Sequence, residues 1–503
     1  MSDHLLYVLI LAATGLLLAA LVAIKFSHRV GMPVLLLFVG MGVLVGEAGL
    51  GLRYDDAELT RQVGTILLAV ILWEGGYTTN AAAIRPVALR SVVLATVGVL
   101  ASVAITSTLV FFLLDVDLRT AITLGAVASS TDAAATFAIL RRIPIVQRVR
   151  QTLEAESGFN DPPVIVLIAV VISDAWFAIS PAAMIGTAIY QLVIGGLVGL
   201  VIAWGGSRLL RLSALPASGL YPLGTVAIGM VAFAGAGVIG ASGLLACYVA
   251  GLVVGNADLP HHRATMGFVE ALAWLAQMSL FTMLGLLASP ARLVDAIVPA
   301  LIVGASLTFI ARPLSVALCL VPFRVPWREQ LFISWGGLRG AVPIVLAAMT
   351  MTAGVADATR IFDVVFLLVI VFTLVQGPTL PVMARWTGIH RPTTPTEVTL
   401  ESAPLENADV MVLQFPVSPG SRLHRVSVEE LRLPDRVTVS MIIREGEVLV
   451  PRESTLLRAG DDLILTASHA DVAAVEARLR AVDRAGRLAR WESGRPDQKD
   501  PSA

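Results

Sequence analysis

The sequence predicts an α-helical polytopic membrane protein with thirteen transmembrane helices, an inverted repeat with two broken helices, and a small α+β cytoplasmic domain at the end. Three observations carry that prediction. Of 503 residues, 56% are hydrophobic and only 15% are charged, against about 25% charged in soluble globular chains. Thirteen apolar runs reach or approach the ~20 residues that cross a bilayer as helix. Two of those runs, the fifth and the twelfth, are interrupted at matching places in two halves, the mark of a repeat with a site near the midplane.

Taken in order, the expected spans are about 5–24, 33–52, 64–80, 91–114, 120–140, 157–174, 182–206, 221–240, 242–256, 268–288, 296–320, 329–350 and 361–383. Residues 1–4 are short and polar, and the run 5–24 is long enough to span, so no cleavable signal peptide is expected. Alternate loops differ in basic charge. One set holds Lys25, Arg29, Arg85, Arg90, Arg141, Arg142, Arg148, Arg150, Arg208, Arg211, Arg263, Arg324 and Arg328; the other holds Arg53, Arg61, Arg119, Arg292 and Arg360. The richer set belongs in the cytoplasm, which puts the N-terminus outside and the C-terminus inside, as an odd number of spans requires.

The composition changes after Thr387. The expected organisation is a transmembrane domain over 1–387, a linker over 388–407 with the turn-forming run Pro392-Thr393-Thr394-Pro395, a small domain over 408–483, and a frayed tail over 484–503. In the small domain, strands are expected at 409–417, 437–443, 448–450 and 462–466. A short helix is expected at 427–431, and an amphipathic one at 470–482 carries Val472, Val475, Leu479 and Val482 on one face.

The fifth run reads Ala128-Ser129-Ser130-Thr131-Asp132 before it resumes at Ala133. The twelfth reads Trp335-Gly336-Gly337-Leu338-Arg339-Gly340-Ala341-Val342-Pro343. Few ionisable residues lie inside the spans: Glu74, Asp132, Glu156, Asp161, Arg312 and Arg339. An Asp at a helix centre costs roughly 2.5–3.5 kcal/mol on insertion scales, so such residues mark pathways, relays or structural pairs. In Glu156-Ser157-Gly158-Phe159-Asn160-Asp161-Pro162-Pro163, Asp161 and Asn160 offer a carboxylate and an amide oxygen to a hard cation. Ser157 lies one turn before Asp161 on the same face. Glu156 is five residues from Asp161, on another face, and is expected to pair with Arg339. The alternatives stay open. Glu74 can snorkel at a helix end, Asp132 can cap the break with or without binding a ligand, and Asp161 before two prolines can be an N-terminal cap near the surface. Arg312, before Pro313, reads as structural.

Several classes are excluded. The spans carry no polybasic nucleic-acid footprint. Cys247 and Cys319 have no metal-ligand spacing and read as small core residues. No nucleophile–base pair or zinc set argues for an enzyme. A ligand-gated cation channel is the competing class, and isolated acids on broken helices disfavour it.

Ser130-Thr131-Asp132, Glu156 to Asp161 and Gly336 to Val342 together resemble the signatures of cation:proton antiporter family 1, over about residues 5–385. Residues 405–483, with Leu431-Arg432-Leu433-Pro434, Ile443-Arg444-Glu445-Gly446, Val450-Pro451 and Gly460-Asp461-Asp462, resemble the TrkA-C (RCK-C) regulatory domain. The pair of resemblances is that of bacterial NhaP-type potassium (or sodium)/proton antiporters. They imply a sodium/proton-antiporter-like fold in which spans four to six and eleven to thirteen form a core, and spans one to three and seven to ten a homodimer interface. They imply a monovalent cation, K⁺ or Na⁺, at Asp161, Asp132, Ser157 and the Thr131 backbone, with Glu74 acting through water and Asn160 in support. Glu156 would pair with Arg339, and Arg312 would stabilise the crossing. They imply no cofactor beyond the transported ions, a small regulatory ligand such as a nucleotide on the TrkA-C domain, and a place in the bacterial inner membrane among lipid. Asn160 stands where an electrogenic branch has a second acid, which implies an electroneutral cycle. Ala133 stands where many members have Pro.

Overall fold

The computed structural model describes residues 3–390 apart from 31–33, 48, 52–53, 55, 133–135, 137–138, 141–142, 174–179, 214 and 356, then 401–404, 410–417, 421, 423–434, 437–444, 447–468 and a few positions up to 479. The chain divides into two compact units, Met1–His390 and Arg391–Ala503. Ala133, the 484–503 tail and most of the 470–482 helix lie outside the described residues. Val475 and Leu479 of that helix are described and buried.

The first unit is helical throughout. Its helices are α1 (Asp3–Val30), α2 (Val34–Val45), α3 (Ala57–Tyr77), α4 (Ala88–Leu114), α5 (Leu118–Ser129), α6 (Gln147–Phe159), α7 (Asp161–Ile172), α8 (Pro181–Leu212), α9 (Leu220–Val238), α10 (Gly243–Gly255), α11 (His262–Leu287), α12 (Pro290–Leu320), α13 (Trp327–Gly336), α14 (Ala341–Thr352) and α15 (Ala358–Trp386). Side-chain caps start several of them: Asp56 accepts from the Leu59 amide, Asp117 from Thr120 and Ser242 from Leu245, supplying acceptors for otherwise orphaned amides. By length and apolarity seven described helices can cross a membrane, or eight with the α13–α14 pair, which bends by 50° at its break. The remaining apolar helices, including α2, α5 and α10, are shorter. The protein is thus a helical polytopic membrane protein.

The helices sort into two packing groups. In one, α3 packs on α10, α2 on α11, and α8 and α9 on α10. In the other, α4 packs on α5 and α12, α7 on α5, and α15 on α12 and α14. α4 and α12 each contain a π-helical turn, Leu94–Gly98 and Ser306–Ala311, and each turn packs against the other helix. Between them Ser102 Oγ donates to Ser315 Oγ at 2.7 Å, fully buried. These two helices are the fourth and eleventh expected spans.

One boundary differs in a way that matters. Hydropathy starts the sixth span at 157, which puts Asp161 near a helix mouth. The helix instead begins at Gln147, and Asp161 lies in the middle of the 26-residue span Gln147–Ile172. Arg148, Arg150 and Glu154 make the first turns read as loop. The span breaks at Asn160, because Pro162 and Pro163 have no N–H to offer the carbonyls of Gly158 and Phe159.

The second unit is a five-stranded antiparallel sheet, β1 (Glu401–Pro404), β2 (Val410–Pro416), β3 (Thr438–Arg444), β4 (Glu447–Leu449) and β5 (Asp462–Ser468), in the order β1-β2-β5-β3-β4. Alternate residues of β5 are buried, as a sheet with one covered face requires. Leu413, Phe415, Ile442, Leu463 and Leu465 form its core with Val475 and Leu479. Four strands lie where the sequence puts them; β1 falls inside the stretch expected to be linker. Gly460, at φ +92°, makes the turn before β5. Asp461 beside it receives Arg444 Nε and Nη2, both at 2.8 Å, and the Arg458 amide at 2.7 Å.

Candidate functional site

The site forms where the two broken spans cross. After Ser129 the chain leaves the helix, with Ser130 extended at φ −63° and ψ 136°. The Asp132 amide donates to the Leu338 carbonyl at 3.0 Å, and the Ala341 amide donates to Asp132 Oδ2 at 2.9 Å. Asp132 therefore caps the N-terminus of α14. Arg339 answers from the other break: its Nε donates to the Ala128 carbonyl at 3.0 Å and its Nη1 to Gly337 O. Each half-helix end thus meets a charge of the sign its dipole favours. Gly340 is required here, because a Cβ on it would overlap the Asp132 carboxylate. Thr373 Oγ1 fastens the break to α15 through the Arg339 carbonyl at 2.8 Å.

Asp161 and Asn160 approach this crossing from the interruption between α6 and α7. Ser130 Oγ donates to Asp161 Oδ1 at 3.0 Å. Asn160 Nδ2 donates to Thr131 Oγ1, Thr131 and Ser157 share a hydrogen bond at 3.2 Å, and Ser157 Oγ donates to Thr136 Oγ1 at 3.3 Å. These residues and Asp132 are all buried. Two oxygens differ from the rest. Asp161 Oδ2 and Asn160 Oδ1 are sealed from solvent and accept no hydrogen bond from the described residues. A buried acceptor without a partner costs about 1–3 kcal/mol, more when charged. Two on adjacent residues make a site ready to take a proton or a cation.

The expected site residues are largely brought together: Asp161, Asn160, Ser157, Thr131 and Asp132 form one network. Glu74 is buried in the last turn of α3, on the other helix group. The ion pair is a correction. The sequence pairs Glu156 with Arg339 and gives Arg312 the support of the crossing; in the structure the two arginines exchange these parts. Arg312 Nη1 and Nη2 donate to Glu156 Oε1 and Oε2 at 2.6 and 2.7 Å, with both side chains essentially inaccessible. Arg339 is occupied by the carbonyls at the break. The reason is geometric: Arg312 follows the π-turn of α12 and presents a parallel fork to the carboxylate. Both guanidiniums lie about 3.0 Å from where a Gly337 Cβ would be, so the two cations flank one glycine.

Sequence reasoning also passes over Ser130, Thr136, Thr373 and Tyr248. Ser130 is in plain view inside its motif. Tyr248, on α10, packs edge-on to Phe159 at 5.5 Å and covers Gly158, joining the two helix groups next to the site; nothing in its own sequence neighbourhood signals that.

A helical membrane protein whose two broken spans cap one another beside a buried carboxylate and amide belongs to the class of ion-coupled secondary transporters. The comparisons are specific. The family model for the sodium/hydrogen exchanger transmembrane domain matches residues 16–386, and that for the TrkA-C domain matches 412–480. The chain belongs to the sodium/hydrogen exchanger family and carries a TrkA-C domain. It is 36% identical over 472 residues to the K⁺/H⁺ antiporter NhaP of Alkalimonas amylolytica, covering 92% of this chain and 82% of that one. It is 35% identical over 445 residues to the K⁺/H⁺ antiporter NhaP2 of Shewanella oneidensis, covering 87% and 77%. The solved structure of the sodium proton antiporter MjNhaP1 from Methanocaldococcus jannaschii at pH 8 shares its fold, with a TM-score of 0.65 at 23% identity over 75% of this chain and 98% of that one.

Proposed function

We propose that the protein exchanges cytoplasmic K⁺ for protons across a bacterial inner membrane, one for one. The observation that carries this reading is the pair of buried oxygens, Asp161 Oδ2 and Asn160 Oδ1, that have no partner among the described residues. A carboxylate cannot hold a proton and a monovalent cation together, so alternate occupancy of Asp161 couples the two fluxes. Ser157, the Thr131 backbone and Asp132 complete the cation shell, Glu74 acts through water, and Asn160 supports the site. With Asp161 as the one titrating acid and Glu156 held in an ion pair, the cycle is electroneutral. The relatives named K⁺/H⁺ antiporters favour potassium; sodium is the second reading, favoured by the match to the sodium/hydrogen exchanger family.

Thirteen crossings place the N-terminus outside and the C-terminus in the cytoplasm, as the loop arginines favour. The group α1–α3 and α8–α11 forms a lipid-embedded homodimer interface, and the α4–α7 and α12–α15 group moves against it. The domain within 408–483, after a linker, regulates exchange by binding a small ligand such as a nucleotide.

Everted vesicles carrying a pH-sensitive dye test this reading by dissipation of a proton gradient on adding K⁺, Na⁺ or Rb⁺. K⁺ is expected to give the strongest response, with no membrane-potential dependence. Asp161→Asn should abolish the response while the purified protein remains monodisperse. Normal exchange by that variant removes the assignment, and a sodium-only response removes potassium.

A further inference from the structure

We propose that the pocket between the ends of α8 and α10 binds the phosphate of an anionic phospholipid, held by Arg208, Arg211 and the Ser207 hydroxyl. The proposal is independent of which ions the protein exchanges and needs only that the chain spans a membrane.

On α8 the pocket is lined by Trp204, Ser207, Arg208 and Arg211, which share one helix face by their spacing. Val253 of α10 and Ala257 just after it line it as well, and its volume is about 340 Å³. Arg208 and Arg211 are exposed, and neither has an ion-pair or hydrogen-bond partner among the described residues. Asp258, next to Ala257, is exposed and pairs with neither arginine. Ser207 is the opposite case. It is 5% exposed, and its Oγ has no partner among the described residues. A serine in a helix often returns its hydroxyl to the carbonyl four residues back, as Ser213 does to Leu209 at 2.6 Å at the end of this same helix. Ser207 forgoes that bond and leaves a buried donor on the pocket wall.

Two guanidiniums and a hydroxyl are donors in want of acceptors. Phosphate oxygens supply acceptors for all three, and the planar guanidinium fork matches their geometry. A plainer account is that basic residues in the last turn of a helix complement its dipole. That covers Arg211 and accounts for neither the concave wall nor the buried Ser207 hydroxyl.

The helix sets the depth of the pocket. From Ile185 to Ala203 α8 carries no charged residue, a length of about 28 Å at 1.5 Å per residue, close to the ~30 Å of bilayer hydrocarbon. Trp204 follows at the level where tryptophan favours the membrane–water interface. Arg208 and Arg211, one and two turns further on, stand at the headgroups, where basic pockets between helices take anionic lipid. The apolar face that leads to them is open. Leu197, Leu200, Val201 and Trp204 recur along one side of α8 and are between 47% and 65% exposed, a track for acyl chains. Free phosphate would engage the arginines and leave that track bare, so the whole surface fits a lipid better than the ion alone.

The test is lipid binding to the delipidated full chain in detergent, read by native mass spectrometry as lipid retained against added phosphatidylglycerol or phosphatidylcholine. Phosphatidylglycerol should bind roughly 10- to 30-fold more tightly. Arg208→Gln with Arg211→Gln should remove that difference, and Ser207→Ala should weaken phosphatidylglycerol binding roughly 3- to 10-fold, with phosphatidylcholine unmoved in both. Arg324→Gln with Arg328→Gln, which removes two exposed arginines elsewhere, should keep the preference, and millimolar inorganic phosphate should not displace the lipid. Equal binding of the two lipids overturns the proposal. So does a preference that survives the Arg208–Arg211 double variant, or one lost equally in the Arg324–Arg328 variant, the mark of diffuse surface charge. Displacement by inorganic phosphate makes the ligand the free ion and overturns the lipid. A second copy of the chain seated on this face would exclude lipid and give no preference, which overturns it too. Should the Arg208–Arg211 variant not assemble, a Ser207→Ala protein with unchanged affinity for phosphatidylglycerol overturns it equally.

Discussion

Removing one member of the Glu156–Arg312 pair should be the most damaging single change among the buried charges that are not proposed to bind substrate. The pair makes two parallel hydrogen bonds, at 2.6 and 2.7 Å, with the arginine 2% and the carboxylate 0% exposed. Breaking a buried ion pair by removing one partner costs about 3–5 kcal/mol, chiefly because the survivor remains charged and dry. Here Arg312→Met leaves the Glu156 carboxylate with Arg339 in its vicinity but engaged with carbonyls, and Glu156→Gln leaves Arg312 with an uncompensated charge. The double variant Glu156→Gln with Arg312→Met removes both charges and should recover much of the loss. The informative quantity is the coupling energy from a double-mutant cycle on unfolding of the purified full chain in detergent, followed by tryptophan fluorescence. Glu156 with Arg312 should give about 2–3 kcal/mol; Glu156 with Arg339, tested through Arg339→Met, should give under about 1 kcal/mol. A larger coupling to Arg339 than to Arg312 would refute the exchanged roles of the two arginines.

Two further outcomes follow from the geometry. Gly340→Ala drives a Cβ into the Asp132 carboxylate that caps α14, so the crossing must open; exchange should fall below a tenth of normal and unfolding should be easier by roughly 1–3 kcal/mol, the usual cost of overpacking. In the C-terminal unit, burial works to raise the Asp461 carboxyl, but hydrogen bonds from Arg444 and the Arg458 amide, with their charges, outweigh it and hold it below the ordinary carboxylate range. A depressed carboxyl contributes stability that is present above its unfolded value, about 3.9, and is lost as pH falls through the folded one. Arg444→Ala should therefore destabilise this unit by roughly 3 kcal/mol at neutral pH, read as faster limited proteolysis of residues 401–479 in the full chain, and the difference should shrink on acidification. A gap that does not shrink on acidification speaks against the ion pair as its cause.

Much of this fold was legible because its expensive features are written in residue type. A bilayer tolerates few charges, so six ionisable residues in apolar runs were enough to mark Asp161, Asp132 and their neighbours. The glycines and hydroxyls at 129–131 and 336–340 announced the two breaks. What the sequence withheld was direction. It shows two intramembrane arginines and one spare carboxylate, and only the π-turn before Arg312 and the carbonyls at Ala128 and Gly337 decide which guanidinium is free to pair. The start of α6 was hidden for the opposite reason: Arg148, Arg150 and Glu154 look like loop until Glu329 and the Ile143 carbonyl are seen to receive the arginines. β1 was hidden because a four-residue edge strand carries too few positions to show a period.

The exchange of arginine roles also bears on the chemistry. A single buried carboxylate can serve two ions alternately only if no fixed cation claims it. With Glu156 bound face to face by Arg312, and Arg339 spent on the helix end that Asp132 mirrors, both intramembrane arginines have partners other than Asp161. Among the described residues, Asp161 accepts from one neutral donor, Ser130. An ammonium or guanidinium in that place would hold Asp161 ionised and compete with K⁺ by charge; a hydroxyl only biases the choice. That arrangement makes a specific demand. Ser130→Lys or Ser130→Arg should lose exchange at every pH, because a fixed cation at the carboxylate displaces both substrates. Exchange surviving in a Ser130→Lys protein shown to be folded would mean that substrate binds at an oxygen Ser130 does not control.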